Sequence, residues 1–434
     1  MKRLILSGLC LAALVLSVDA QTNQAREDIR RNPWLAGSNY LDYDRQLPDF
    51  KYTKAPKGYV PFYFSHYGRH GSRWLIGKDD YERVLKPLRK ARQAGKLTRE
   101  GQEALRQLEL FHKTTHQRLG DLTTVGERQH HGIGRRIAEH FPEIFKSKGV
   151  FIDARSTVVN RCILSMVAEC EELMAANPTA HIHNDVSESL QYYLNQSRSG
   201  LIRDAHDSAG RLRAEYGNRL THPERLSALL FTDQQWAADS LELKPLMRHL
   251  FQVAVNMQSH DDAPDLLHLF TNDEVYDQWR IMNIRWYLTY AFAPQTSAIM
   301  PFSQYNLLTN IINTADSCVA LRKPQATLRF GHEVCVLPLA CLMELDSCGV
   351  SVDNLDELDL HWQNYRIFPM ACNIQLIFYK PKKGKGDILV KALLNEREAS
   401  LPVATDIYPY YRWDDLRRYW QQRLADYKKR TENK

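Results

Sequence analysis

The chain has 434 residues, 44% of them hydrophobic and 25% charged, with a formal net charge of +6. That length supplies a large core and two or three domains' worth of material. The basic excess is too diffuse for a nucleic-acid partner, because no basic stripe interleaved with aromatics occurs, but it is compatible with an anionic small molecule.

The first twenty residues stand apart. Lys2 and Arg3 precede an apolar run from Leu4 to Val18, which closes on Val18-Asp19-Ala20 before Gln21. This pattern predicts a signal peptide over 1–20, cleaved after Ala20, and hence a periplasmic or secreted protein. The run is too short to span a bilayer, and no later window approaches 18 apolar residues, so no membrane span is expected. Cys10 lacks the small residue before it that a lipoprotein signal prefers. Seven cysteines follow, at 162, 170, 318, 335, 341, 348 and 372. The odd number leaves at least one thiol free or intermolecular, and the absence of a CxxC pair argues against a zinc ribbon. Cys335 and Cys341 sit in apolar, helix-like sequence and are expected to be small buried hydrophobes.

Residues 21–57 read as an extended polar lead-in, broken at Asn32-Pro33, Gly37-Ser38-Asn39 and Pro56. Tyr59-Val-Pro-Phe-Tyr-Phe64 is a short aromatic run that reads as a buried strand. It leads into Arg69-His70-Gly71-Ser72-Arg73, one imidazole between two guanidiniums. Two charged forks beside a histidine suit a phosphate, whose oxygens accept bidentate hydrogen bonds; a basic loop paired with carboxylates is the alternative. From Asp79 to Phe145 the pattern is helical, with Thr124 and Glu127 forming a capping box. His130 and His131 on that helix read as surface residues. Gly149–Ala154 is a second strand, and it too ends in an arginine loop, Arg155-Ser-Thr-Val-Val-Asn-Arg161. Residues 170–320 carry little strand signal and read as a helical insertion. A third strand, Ala326–Phe330, ends in Gly331-His332-Glu333 before a helix. Asn373–Tyr379 and Asp387–Leu393 form a hairpin around a Lys/Gly-rich turn that lacks the spacing of a phosphate-binding loop. Residues 413–428 are a terminal helix.

Three strand-like runs thus end in Arg69/His70/Arg73, Arg155/Arg161 and His332/Glu333. In an open α/β sheet, ligands bind beyond the carboxyl ends of the strands. The expected fold is α/β, a mostly parallel central sheet flanked by helices. Residues 21–169 and 321–434 form the core, and 170–320 an inserted helical cap.

Arg69-His-Gly-Ser-Arg73 resembles the RHGxR signature of the histidine acid phosphatases, branch two of the histidine phosphatase superfamily. Arg155–Arg161 resembles that family's RSTxxxR segment, and His332-Glu333 falls where the family has His-Asp. Gly58–Arg73 and Leu328–Glu333 are similar to the bacterial enzymes related to multiple inositol-polyphosphate phosphatase and phytase. The resemblance implies His70 as a nucleophile forming a phosphohistidine and Glu333 as the proton donor. It further implies Arg69, Arg73, Arg161 and His332 as phosphate ligands, with no metal and no other cofactor. Arg155 is either a substrate contact or a structural ion pair. One departure matters: the acid is Glu rather than Asp, and it directly follows the histidine, where the inositol-polyphosphate branch often has His-Ala-Glu. HExxH zinc binding fails because residue 336 is valine.

The expected function is an exported phosphomonoesterase acting on inositol polyphosphates. The alternatives are a broad acid phosphatase acting on sugar phosphates and a catalytically impaired phosphate-ligand binder. The partner is a phosphorylated small molecule; oligomeric state is not legible.

Overall fold

The structure is a computed structural model that describes residues 23–197 and 199–432. The apolar stretch 1–20 and its expected cleavage after Ala20 lie outside them. No helix among the described residues is long and apolar enough to cross a membrane.

One sheet organises the chain. In sequence order its strands are β1 (Tyr59–Arg69), β2 (Phe151–Ser156), β3 (His181–Val186), β4 (Gln325–Gly331), β5 (Asn373–Pro381), β6 (Leu389–Leu394), β7 (Arg397–Ala399) and β8 (Tyr411–Arg412). Their spatial order is β3-β2-β4-β1-β5-β6-β7, with β8 beside β6. The pairs β3/β2, β2/β4 and β4/β1 are parallel; from β5 onward the pairs are antiparallel. The sheet is therefore mixed, and its parallel character belongs to the half that carries the conspicuous loops. β5 and β6 are the expected hairpin.

β1 lies at the centre and is covered on both faces, which is why it reads as a continuous aromatic run. Side chains alternate along it. Phe64 enters a core with Ile133, Ile137, Met166 and Phe330, beneath the helices Thr124–His140 and Asn160–Ala176. Tyr63 and Tyr67 point the other way, into a core with Leu308, Val336, Leu376 and Trp413. A third core joins the helices Glu82–Gln93 and Arg99–His112 to Leu243–Asn256 and Asn272–Tyr290.

Three expectations need correction. The lead-in is not extended: Gln24–Arg31 is an α-helix, Pro33–Tyr40 is a 3-10 stretch, and Leu35 through Leu41 are buried. It buries Ile29, Leu35 and Leu41 against the helical layer, a gain that polar composition concealed. The stretch 170–320 supplies a strand, β3, at the sheet's edge; its polar residues, His-Ile-His-Asn-Asp-Val, suit an edge and hid it from a hydrophobic pattern. His130 is fully buried rather than on the surface, because its Nδ1 lies 2.7 Å from Glu169 Oε1 on the neighbouring helix. His131 is the one that faces outward, beside Glu172. All seven described cysteines are unpaired and buried.

Candidate active site

Strand register assembles the site. Arg69 on β1 is level with Gly331 on β4, and Ser156 on β2 is level with Phe330. The next residue of each strand therefore emerges at one sheet edge. There the His70 N–H donates to the Gly331 carbonyl at 3.1 Å, and the Thr157 N–H to the Phe330 carbonyl at 3.0 Å. Arg161, in the first turn of the helix Asn160–Ala176, and His332 and Glu333, after β4, reach the same place.

The loop holding His70 is pinned by backbone contacts. Ser165 accepts from the Gly71 N–H at 3.1 Å, and Gln129 Oε1 accepts from the Ser72 N–H at 2.8 Å. Gly71 and Gly126 abut: a Cβ on Gly71 would sit 2.6 Å from the Gly126 Cα and collide with its carbonyl oxygen. Because both sides are backbone, neither yields easily. Gly71→Ala is expected to cost about 1–3 kcal/mol of stability by overpacking, and to lower activity with it, as thermal melting and turnover of the purified variant would show.

His70 is 1% exposed and its Nδ1 lies 2.8 Å from the Gly71 carbonyl oxygen. A carbonyl only accepts, so Nδ1 carries the hydrogen and Nε2 is bare in the neutral ring. Burial first, then the charges of Arg161, Arg69 and Arg73, hold this imidazole well below its ordinary value, which favours the neutral ring in acid. Around it stand three guanidiniums. Arg69 Nη1 donates to the carbonyls of Asn39 (2.7 Å) and Pro369 (3.0 Å), with Phe368 at 3.3 Å. Arg73 Nη1 donates to the Trp74 carbonyl at 3.0 Å, and Arg161 Nη1 to that of Gly120 at 3.3 Å. Each keeps buried N–H groups without a hydrogen-bond partner among the described residues: Arg69 Nε and Nη2, Arg73 Nε and Arg161 Nε. Buried donors left unpaired are costly, and their convergence on one space describes a site built for an oxyanion.

Glu333 opens the helix Glu333–Met343, and its Oε2 lies 3.0 Å from Arg69 Nε, an ion pair whose angle is too poor for a hydrogen bond. The same oxygen is 3.8 Å from His70 Nε2. Burial pushes its carboxyl up, but Arg69, Arg73 and His332 outweigh that and hold it at about 2. His332 stands edge-on to His70, ring centroids 5.6 Å apart, with Thr157 Oγ1 3.5 Å from its Nε2 and the Cys162 sulfur 3.8 Å away. Burial, only partly offset by Glu333, takes His332 down to about 4.

The six residues His70, Arg69, Arg73, Arg161, His332 and Glu333 therefore meet. Arg155 does not share their contacts: its Nε donates to Asp153 at 2.9 Å and its Nη1 to the Tyr193 hydroxyl at 3.2 Å. It lies on β2, where alternation turns it to the sheet face away from Ala154 and Ser156. What the sequence did not disclose is the support: the carbonyls of Asn39, Phe368 and Pro369, and Ser165, Gln129 and Cys162. Backbone acceptors carry no residue signature. Gly37-Ser38-Asn39 was visible only as a turn.

One atom from each of His70, His332 and Glu333 falls within 4.8 Å of the others, a spacing that fits a metal ion. Three adjacent guanidiniums repel a cation and attract an anion, so electrostatics favours phosphate there.

The acid response follows from these groups. His332, His66 and His260 are all lowered to about 4, by burial first. As pH falls below 6.5 the unfolded chain takes up protons that the folded chain refuses, so stability present above 6.5 is lost progressively toward pH 4. Glu333 extends the loss, since the unfolded carboxyl protonates near 4.5 and the folded one only near 2. Calorimetric melting should show Tm dropping over pH 6.5–4; a flat or rising Tm there would refute the buried neutral state of these histidines.

No protein-family model matches the chain, and no curated protein matches it in sequence. Solved structures do match in fold. The Bifidobacterium longum multiple inositol polyphosphate phosphatase, in complex with inositol hexasulfate, aligns with a TM-score of 0.71 at 17% identity, covering 88% of this chain and 96% of that one. The phytase from D. castellii aligns at 0.67 and 14% identity, over 90% and 85% of the two chains. The Hafnia alvei phytase in complex with myo-inositol hexakis sulphate aligns at 0.52 and 12%, over 85% and 98%. The chain thus has a histidine acid phosphatase-like fold. That fold is shared with a bacterial multiple inositol polyphosphate phosphatase and with phytases.

Proposed function

We propose that the chain is a phosphomonoesterase that hydrolyses inositol polyphosphates through a phosphohistidine. The observation that carries this is the bare His70 Nε2 facing unpaired, buried guanidinium N–H groups. A phosphate binder would need the donors but not a neutral imidazole among them. The substrate phosphate accepts hydrogen bonds from Arg69, Arg73 and Arg161, with His332 as a further ligand. His70 Nε2 attacks phosphorus, the ester P–O bond breaks, and the guanidiniums stabilise the charge on the equatorial oxygens.

The leaving oxygen needs a proton, yet Glu333 is ionised at rest. Substrate binding resolves this. A phosphate dianion satisfies the arginines that keep Glu333 ionised, so burial becomes dominant, raises the carboxyl, and Glu333 takes up a proton from solvent as substrate binds. Glu333 then gives its proton to the leaving alcohol. As carboxylate it takes one from the water that cleaves the phosphohistidine, which returns His70 and releases phosphate. The names of the fold neighbours support inositol polyphosphates as the substrate class, and the basic leader pattern of 1–20 supports export. The helical stretch after β3 is the proposed cap that sets substrate choice; the core is 21–169 and 321–434 with β3 added.

Phosphate release from phytate, glucose phosphate and an aryl phosphate at pH 4–8 tests the reading. Phytate should be cleaved with the highest kcat/KM. Preference for glucose phosphate would leave a broad acid phosphatase, and no release from any of them would leave only a phosphate binder.

A further inference from the structure

The segment Gly37–Asp42 forms one wall of the phosphate site, and the reaction above makes no use of its side chains. The 3-10 stretch Pro33–Tyr40 is broken at Ser38, whose φ of 56° and ψ of −118° are strained for a residue with a side chain. Ser38 is fully buried and its hydroxyl has no partner among the described residues. This turn delivers two contacts to the clamp. It sends the Asn39 carbonyl to Arg69 Nη1 at 2.7 Å, and it lays the Tyr40 ring beside Arg73, whose guanidinium carbon is 5.4 Å from the ring centroid. That distance is within the range over which an aromatic face attracts a guanidinium, about 6 Å. Tyr40 is itself held, because Gln252 Nε2 donates to its hydroxyl at 3.2 Å from the helix Leu243–Asn256.

Arg73 needs this support more than Arg69 does. Arg69 is tied by carbonyls and by Glu333. Arg73 has no carboxylate within ion-pair distance among the described residues, and its hydrogen bond there is the one to Trp74. Arg73 is 3% exposed and its side chain has four rotatable bonds. A buried cation with a single anchor can turn away from the space where the phosphate must sit. The ring backs the fork, and the Gln252 contact at its hydroxyl is a lesser support.

We infer that Tyr40 is a positioning residue of the phosphate clamp, holding the Arg73 fork in the orientation that meets the phosphate oxygens. This rests on the phosphate reading of the site. It assigns a role to a residue in the lead-in, far in sequence from every motif, and ties the clamp to the helical layer through Gln252.

The test is titration calorimetry with inorganic phosphate, alongside KM and kcat for an aryl phosphate. Tyr40→Leu should weaken phosphate binding by about tenfold and raise KM in parallel, the size expected for a desolvated cation–ring contact. Tyr40→Phe keeps the ring and should restore both to within about twofold of the parent. If Tyr40→Leu melts early, Tyr40→Met, longer and more flexible and also ringless, takes its place. Arg73→Ala is the control and should lose phosphate affinity itself. If Arg73→Ala binds phosphate as the parent does, the phosphate reading fails. If Arg73→Ala is impaired but the ringless variants bind normally, or Tyr40→Phe is as impaired as they are, the Tyr40 role fails and the phosphate reading stands.

Discussion

His70→Ala is expected to lower phosphate release by roughly 10⁴- to 10⁶-fold, the loss seen when an enzyme's nucleophile is removed and only binding and electrostatics remain. The expectation is specific to the atom. Gly71 fixes the hydrogen on Nδ1, so the lone pair at Nε2 is the only nucleophile presented to the space between the guanidiniums. The variant should still bind inorganic phosphate, because Arg69, Arg73 and Arg161 keep their carbonyl anchors. Rapid quench of the parent in alkaline detergent with ³²P-labelled substrate should trap label on the protein in a base-stable form that acid releases, and the variant should trap none. Residual turnover within tenfold of the parent would remove His70 from the reaction.

Glu333→Gln is expected to separate leaving groups. With an alkyl ester such as phytate, whose alcohol leaves poorly without a proton, kcat should fall by about 10²–10⁴-fold, the usual worth of general acid catalysis. With an activated aryl phosphate the loss at the first step should be far smaller. Equal losses on both substrates would exclude Glu333 as the acid. The variant also unpairs Arg69, since Glu333 is its ion-pair partner at 3.0 Å. Inorganic phosphate should therefore bind Glu333→Gln more tightly than the parent, because it no longer competes with a carboxylate for Arg69. Tighter phosphate together with slower ester cleavage is a pattern that simple misfolding does not produce.

The two predictions share a cause: the resting site carries its own anion. Glu333 partly satisfies the guanidinium charge that substrate will take over, which makes a cluster of buried arginines tolerable in the free protein. On the proposed mechanism the same pairing keeps the acid ionised until substrate arrives, which would couple proton transfer to binding. The direct His332-Glu333 sequence, one residue shorter than His-Ala-Glu, still brings the carboxylate to 3.8 Å from His70 Nε2, because the helix begins at Glu333 itself.

Much of this was legible from residue types. β1, β2 and β4 announce themselves as short apolar runs, and each ends in polar residues that chemistry singles out. Arg69, His70, Arg73, Arg161, His332 and Glu333 could be named because their strand-end clusters resemble the signature segments of a known family. Alternation and turn chemistry act over a few residues, and a sequence displays them directly. Strand register, backbone acceptors and burial of polar groups are another matter, since they depend on partners hundreds of residues away. Arg155 carries the same side chain as Arg161 but alternates onto the other sheet face, where Asp153 and Tyr193 take it. His130 looked like a surface residue until Glu169 was placed against it. The polar lead-in gave no sign that it would turn at Ser38 and put Asn39 and Tyr40 against the clamp. Residue types and their order along the chain nominate the candidate groups. Which of them meet depends on the folded chain, because an unpaired buried donor exists only once the chain has closed around it.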